Sequence, residues 1–419
     1  MIYTNLSSKD EKPVMKAEEL IVIKAFGSFS ALGCRKETIL ANYRSDQAFI
    51  SAKIFNAISY PVGALSAEAE QSLHDMVRQN PKFFRRLDKS VLLAVGASIL
   101  AYEAAGWAVE KKKRQAIGVN VGSSRGATGL FERFHAEFLQ SPENKTALLT
   151  SPLTTLGNIS SSVANFLDLH GPIISNSMTC TTGAQAVING VAWLRSGMAD
   201  RFLAGGSEAP LTSFTLAQLE ALGICSRDTG DPYPCRPLAL AEKMEDTMIL
   251  GEGAAVFALE KMTKAELAEG KIEAMIESVG YAFEKISSPT GISEEANALQ
   301  QSMQMALKNK KNEAPVDLVL MHAPGTVMGD RAELRAISKV FGERVPNLFS
   351  NKWKIGHTYA ASAPLSMELG ILAIQNQLIL DFPYPNRVCN SRRPIKKVML
   401  NSACFGGNAT SIIISASTL

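Results

Sequence analysis

Apolar residues in this chain come in short dense runs, separated by stretches in which they recur every three or four positions. The dense runs are "LIVIKAF" (20–26), "AIGVNVG" (116–122), "RFLAGG" (201–206), "AAVFALE" (254–260), "VDLVLMHA" (316–323), "KKVMLNSA" (396–403) and "TSIIISA" (410–416). Their length and near-continuity suit strands buried on both faces. The longer-period stretches predict helices over 89–105, over about 363–380, and from Thr182 to a stop at Gly197. In the last of these Val187, Ile188, Val191 and Leu194 share one face. Strands alternating with helices predict an α/β fold. Residues 1–18 read as a loose tail, 263–284 as a polar, helix-like join, and 284–296, with Pro289 and Gly291, as a surface loop.

The order of these pieces repeats. A strand ending in "VGSS" precedes a loop carrying Cys180, a helix, and the strand "RFLAGGSEA". Later a strand ending in "MHAPGT" precedes the loop "SNKWKIGH", a helix, and the strand "VMLNSACFGG". The chain therefore divides into halves, 1–262 and 263–419, that share order rather than identity.

Composition narrows the class without naming a chemistry. The chain has 419 residues, 46% hydrophobic and 20% charged, which fits a globular protein with a large core. A net charge of +3 gives no case for nucleic acid or a membrane surface. No apolar run approaches the ~18 residues of a membrane span. The six cysteines form no Cys-x-x-Cys pair and show no zinc spacing with the five histidines, so reduced thiols in the cytoplasm are expected and no metal site is assigned.

The candidate chemistry lies in the loops. In "NSMTCTTGAQ" (176–185) Cys180 stands at the mouth of a helix, whose unpaired N–H groups favour a thiolate. There it serves as a nucleophile, and its own N–H as half of an oxyanion hole. As a free cysteine it is equally a small buried filler. His322 closes a strongly apolar strand, and His357 follows Gly356 just before a helix; the duplicated order would bring both opposite Cys180. His74, His135 and His170 read as structural or surface residues. In "NSACFGGN" (401–408), Gly406 and Gly407 permit close backbone approach, and the Phe405 N–H completes the oxyanion hole.

These motifs, with "GSFSALG" (27–33), "VGSSRGATG" (121–129), "AGGSEAP" (204–210), "GEGAAV" (251–256) and "HAPGTVMGD" (322–330), resemble the condensing β-ketoacyl-acyl carrier protein synthases of the thiolase-like superfamily. The resemblance spans nearly the whole chain. It implies a five-layered αβαβα fold of two duplicated halves, and decarboxylative condensation of a cysteine-bound acyl group with a malonyl thioester. By motif, Cys180 matches the acyl-accepting nucleophile and His322 and His357 the paired histidines. Lys352 matches the active-site lysine, Thr326 a pantetheine-contacting threonine, and Phe405 a gating phenylalanine. Met178 and Gly406 join the implied substrate-binding set. The resemblance further implies no metal or redox cofactor, an acyl carrier protein as partner, and a dimer, either homodimeric or with a chain-length-factor-like subunit. Arg85, Arg86 and Arg125 are the implied carrier-docking residues, with Lys82, Lys89 and Arg133 beside them.

The chain departs from the family pattern in places. Met178-Thr179 replaces the usual Thr-Ala before the cysteine. Ala323-Pro324 replaces Gly-Thr after the first histidine, and "LALAEKMEDTMIL" (238–250) replaces a common charged segment. The acidic residue expected soon after the second histidine is out of register, with Glu368 as the candidate substitute. Cys404, where thiolases carry a second cysteine, reads as a small core residue. These departures place the chain nearer specialised polyketide, polyene or pigment synthesis than housekeeping fatty-acid synthesis. A non-catalytic chain-length-factor-like partner and a thiolase-like acyltransferase on coenzyme A esters are the alternatives. The Cys–His–His set favours the condensing enzyme.

Overall fold

A computed structural model describes residues 19–109, 117–143, 145–240, 245–287, 291–308 and 314–416. The expected tail at 1–18 and Pro289 of the expected loop lie outside them.

Ten strands join in one sheet whose order is palindromic in topology. From one edge it runs Asn347–Phe349, Leu318–Leu320, Lys397–Ala403, Asn408–Ser415 and Ala274–Phe283. It continues through Glu19–Phe29, Gly253–Thr263, Arg201–Glu208, Ile117–Gly122 and Ile173–Ile174. The halves meet through a short antiparallel pairing of Ile21–Ile23 with Ala274–Ile276. Outward from that seam each half has the same pattern: antiparallel, antiparallel, parallel, parallel.

The near-continuous runs form strands because both faces are covered. All eight residues of Arg201–Glu208 and all seven of Lys397–Ala403 are buried. The cations among them are paired: Arg201 Nε lies 2.8 Å from Glu260, and Lys397 Nζ 2.8 Å from Glu277. Helices Thr182–Arg195 and Ser362–Asn376 lie between the half-sheets, each touching strands of both. Ser362–Asn376 is accordingly buried all round, every residue from Ser362 to Ile374 included, with Glu368 as its one buried acid. Helix Lys89–Ala104 covers the outer face of the first half-sheet and Asn297–Lys308 that of the second. The result is five layers, helix–sheet–helix–sheet–helix, as the resemblance implies.

The 263–284 join differs from its sequence reading. Only Lys264–Glu269 is helical, closed by a Thr263–Glu266 capping box. Residues Ala274–Phe283 form a strand, because tertiary pairing with Asn408–Ser415 overrides the local polarity. No helix among the described residues is long and apolar enough to cross a membrane.

Candidate active site

Close backbone packing assembles the site at the central helix layer. A Cβ added to Gly183 or to Gly206 would meet the Ala360 carbonyl oxygen at 2.2 Å. Only glycines there let the helix after Cys180 approach the loop after His357.

Cys180 sits on a sharp turn just ahead of helix Thr182–Arg195. Thr179 before it adopts a left-handed φ of 48°. Thr182 Oγ1 accepts the Met178 N–H at 2.7 Å and donates to the Thr179 carbonyl at 2.6 Å, so one hydroxyl staples the turn. Ser402 Oγ donates to the Cys180 carbonyl at 3.2 Å, tying in a strand from the other half.

Both histidines converge on the sulfur. His357 Nε2 lies 3.1 Å from Cys180 Sγ, and its Nδ1 lies 3.2 Å from Ser362 Oγ. The His322 and His357 rings meet edge to face, with centroids 5.2 Å apart. The thiol and one nitrogen from each ring lie within 4.8 Å of one another, a spacing that would also admit a metal ion.

Electrostatics correct one sequence expectation. The helix mouth suggested a thiolate, but burial pushes the Cys180 thiol well up; nearby Cys404 and Glu208 push the same way and Lys352 opposes them. Burial also holds His322 well below the ordinary histidine range, aided by Lys352 and His357. It pushes His357 down to about 3, again with help from Lys352. The resting pair is therefore a neutral thiol beside neutral imidazoles.

Lys352 is buried beneath the histidines, its Nζ 3.5 Å from the Met321 carbonyl. Burial pushes it down to about 8 against the upward pull of Glu333 and Asp330. Those two acids went unread in the sequence. Glu333 accepts the N–H groups of His322 at 3.0 Å and Ala323 at 2.8 Å, and the Asn401 amide at 3.2 Å. Asp330 accepts from the N–H groups of Leu238 and Gly325. Their signal was the three-residue spacing in "GDRAE", which puts both carboxyls on one face of the helix after the His322 loop. Glu208 of "GGSEA" was also missed as an organiser. It accepts from Ser123, Ser124, Arg125 and Ala360, joining the loops on either side of Cys180.

A cavity of about 430 Å³ reaches the three reactive side chains. Leu219, Leu222, Ile224, Met248, Ile292 and Met328 give it an apolar wall, and Thr326 and Phe405 line it as expected. Thr179 Oγ1 lies 3.4 Å from the Phe405 carbonyl, joining the loops that carry Cys180 and Phe405.

Several candidates fall elsewhere. Met178 is half-buried and outside the cavity lining, because its backbone is committed to the staple under Cys180. Gly406 is likewise absent from the lining; its φ of +94° turns the chain beside Phe405. Glu368 faces the first half-sheet, accepts from Ser28, and takes no part in the cavity. Cys404 is not a core residue: it is half-buried, lines the cavity, and lies 3.6 Å from Thr181 Oγ1. Arg85, Arg86, Lys82 and Arg133 are exposed. Arg125 is half-buried against Gln218, and Lys89 is held by Glu70 and Glu252, so neither is a free surface charge. His74, His135 and His170 are exposed and remote from this chemistry.

Known proteins match this chain along most of its length. The β-ketoacyl synthase N-terminal domain model matches residues 37–265, and the C-terminal domain model matches residues 274–383. Nodulation protein E of Rhizobium leguminosarum bv. trifolii is 28% identical over 365 residues, covering 86% of this chain and 87% of that protein. The 3-oxoacyl-[acyl-carrier-protein] synthase 2 of Coxiella burnetii is 28% identical over 420 residues, covering 94% and 98%. A β-ketoacyl synthase from Burkholderia phymatum superposes with a TM-score of 0.81 at 25% identity, covering 95% and 99%. A thiol and two imidazoles gathered at the joint of a duplicated fold, with both halves of the family matched along the chain, make this protein a member of the β-ketoacyl synthase family.

Proposed function

We propose that the protein is a β-ketoacyl-acyl carrier protein synthase that condenses an acyl group on Cys180 with a malonyl thioester, releasing CO2 and a 3-oxoacyl thioester. The 3.1 Å contact between Cys180 Sγ and His357 Nε2, with His322 against the same ring, carries this reading.

The neutral pair sets the order of events. In the first step sulfur attacks the acyl thioester as its proton leaves through His357 Nε2 to the departing thiol. The N–H groups of Cys180 and Phe405 stabilise the tetrahedral oxyanion. In the second step the malonyl C–CO2 bond breaks, and its electron pair forms an enolate. Buried imidazoles that stay neutral donate Nε2–H bonds to the enolate oxygen without first losing a charge. Ser362 Oγ, as donor or acceptor at His357 Nδ1, suits both tautomers that this sequence of steps requires. The carbanion then attacks the acyl-cysteine carbon, and the Cys180 sulfur leaves and regains a proton. Lys352, whose charged form Glu333 and Asp330 favour, sets the field under both rings.

Substrates would arrive on the phosphopantetheine arm of an acyl carrier protein, with no metal or redox cofactor in the chemistry. A structural neighbour described as a type II polyketide acyl-carrier protein in complex with its ketosynthase, with a TM-score of 0.82 at 20% identity, supports the carrier-protein partner. Strand Ile173–Ile174 ends the sheet, and Ile173, Phe131 and Leu139 are exposed, which supports pairing with a second chain there. The free thiols support a cytoplasmic setting.

Intact-mass spectrometry tests the nucleophile. An acyl donor should add one acyl mass to the wild type and none to Cys180→Ala. An adduct surviving that substitution would move the nucleophile elsewhere.

A further inference from the structure

The wall beside the nucleophile carries a side chain that the steps above do not use. Tyr359 lies two residues beyond His357, at the start of the turn Tyr359–Ala361. Its backbone is left-handed, with a φ of 45°, a conformation that a bulky residue keeps only where its surroundings impose it. Its ring packs on His357 at a centroid distance of 5.4 Å and lines the cavity together with Cys180. The loop itself is held by main-chain groups. The Ala360 N–H reaches Glu208 at 3.3 Å, and the Ala361 N–H reaches the Thr358 carbonyl at 3.0 Å. None of these bonds engages the phenol, which has no hydrogen-bond partner among the described residues.

Phenols in largely buried positions ordinarily find a partner. The Tyr359 phenol is thus an unused donor on a cavity wall that is apolar at Leu219, Leu222, Ile224 and Met248. An all-hydrocarbon chain would leave it unpaired, whereas an acyl chain bearing oxygen supplies the missing acceptor.

We infer that Tyr359 is a specificity-determining residue whose phenol donates a hydrogen bond to a hydroxyl or oxo substituent on the acyl chain carried by Cys180. This rests on the proposal that Cys180 accepts an acyl group. The pocket then prefers an oxygenated acyl group to a saturated one of equal length.

Competitive loading tests it. A 3-hydroxyacyl and a saturated acyl pantetheine thioester of equal chain length are offered together to the full-length protein, and the two Cys180 adducts are counted by intact mass. Wild type should favour the hydroxyacyl adduct. Tyr359→Phe should lower that preference roughly 5- to 10-fold, the value of one net hydrogen bond. Tyr359→Leu should lower it as well, and thermal melts of both variants report whether the fold is retained. An unchanged ratio in a folded Tyr359→Phe, or a wild type that favours the saturated donor, overturns the inference and leaves Tyr359 as a wall for His357. Absence of both adducts from wild type overturns the condensing-enzyme reading, and this inference with it.

Discussion

Glu368 is fully buried on the central helix, and replacing it with glutamine isolates the effect of one buried carboxyl. One carboxyl oxygen accepts from Ser28 Oγ; the other has no partner among the described residues. Burial pushes this carboxyl from its ordinary 4.5 up to about 7, and the Ser28 bond and the charge on Lys36 offset only part of that push. At 1.36 kcal/mol per unit, the gap is worth about 3 kcal/mol. Because the folded state holds the proton more tightly, this contribution to stability is complete below about pH 4.5. It is lost as pH rises to about 7. Glutamine cannot ionise, so Glu368→Gln should lack that loss. Urea unfolding of both proteins at about pH 4.5 and about pH 7.5 should show the variant gaining about 3 kcal/mol on the wild type between the two conditions. Any fixed cost of the new amide cancels in that difference, as do the other buried acids common to both proteins. A stability difference that stays the same at both pH values would show that no uncompensated charge sits there. The variant should also still condense, since Glu368 lies off the cavity; loss of turnover would return it to the catalytic set.

Other outcomes follow from the site. His322→Ala should slow malonyl decarboxylation roughly 10²–10³-fold, the usual weight of one oxyanion donor, and slow acyl loading less. His357→Ala should slow both steps, because His357 Nε2 also relays the thiol proton during loading. Equal damage to both steps in His322→Ala, measured by CO2 release and by adduct formation, would contradict separate roles. The pH profile of decarboxylation should lack an acid limb near ordinary histidine values, because His357 stays neutral down to about 3. An alkaline limb should appear near 8, where Lys352 loses its proton. A limb near about 6.5 would mean that the rings are less buried than the structure has them. Reversing charge at the exposed Arg85 and Arg86 should raise the KM for an acyl carrier protein and leave that for a small pantetheine donor alone. An unchanged carrier KM removes them from the docking face.

The folding pattern and the reactive side chains were legible in the chain to different depths. Runs such as "RFLAGGSE" and "KVMLNSA" announce strands because a strand buried on both faces cannot afford polar alternation. Cys180, His322 and His357 announce themselves by standing at loop mouths between such strands. The strand at Ala274–Phe283 was masked by its charged flank, since only its neighbours in the sheet make it extended.

Sequence alone therefore determined the α/β class and the repeated order and singled out Cys180, His322 and His357, all from local pattern. Tertiary structure decided which of them touch, that the thiol rests protonated, and that Cys404 and Tyr359 share the cavity while Met178 and Glu368 do not. Those outcomes depend on burial and on contacts between residues more than a hundred positions apart. Desolvation and distance have no value until the two half-sheets close around the central helices.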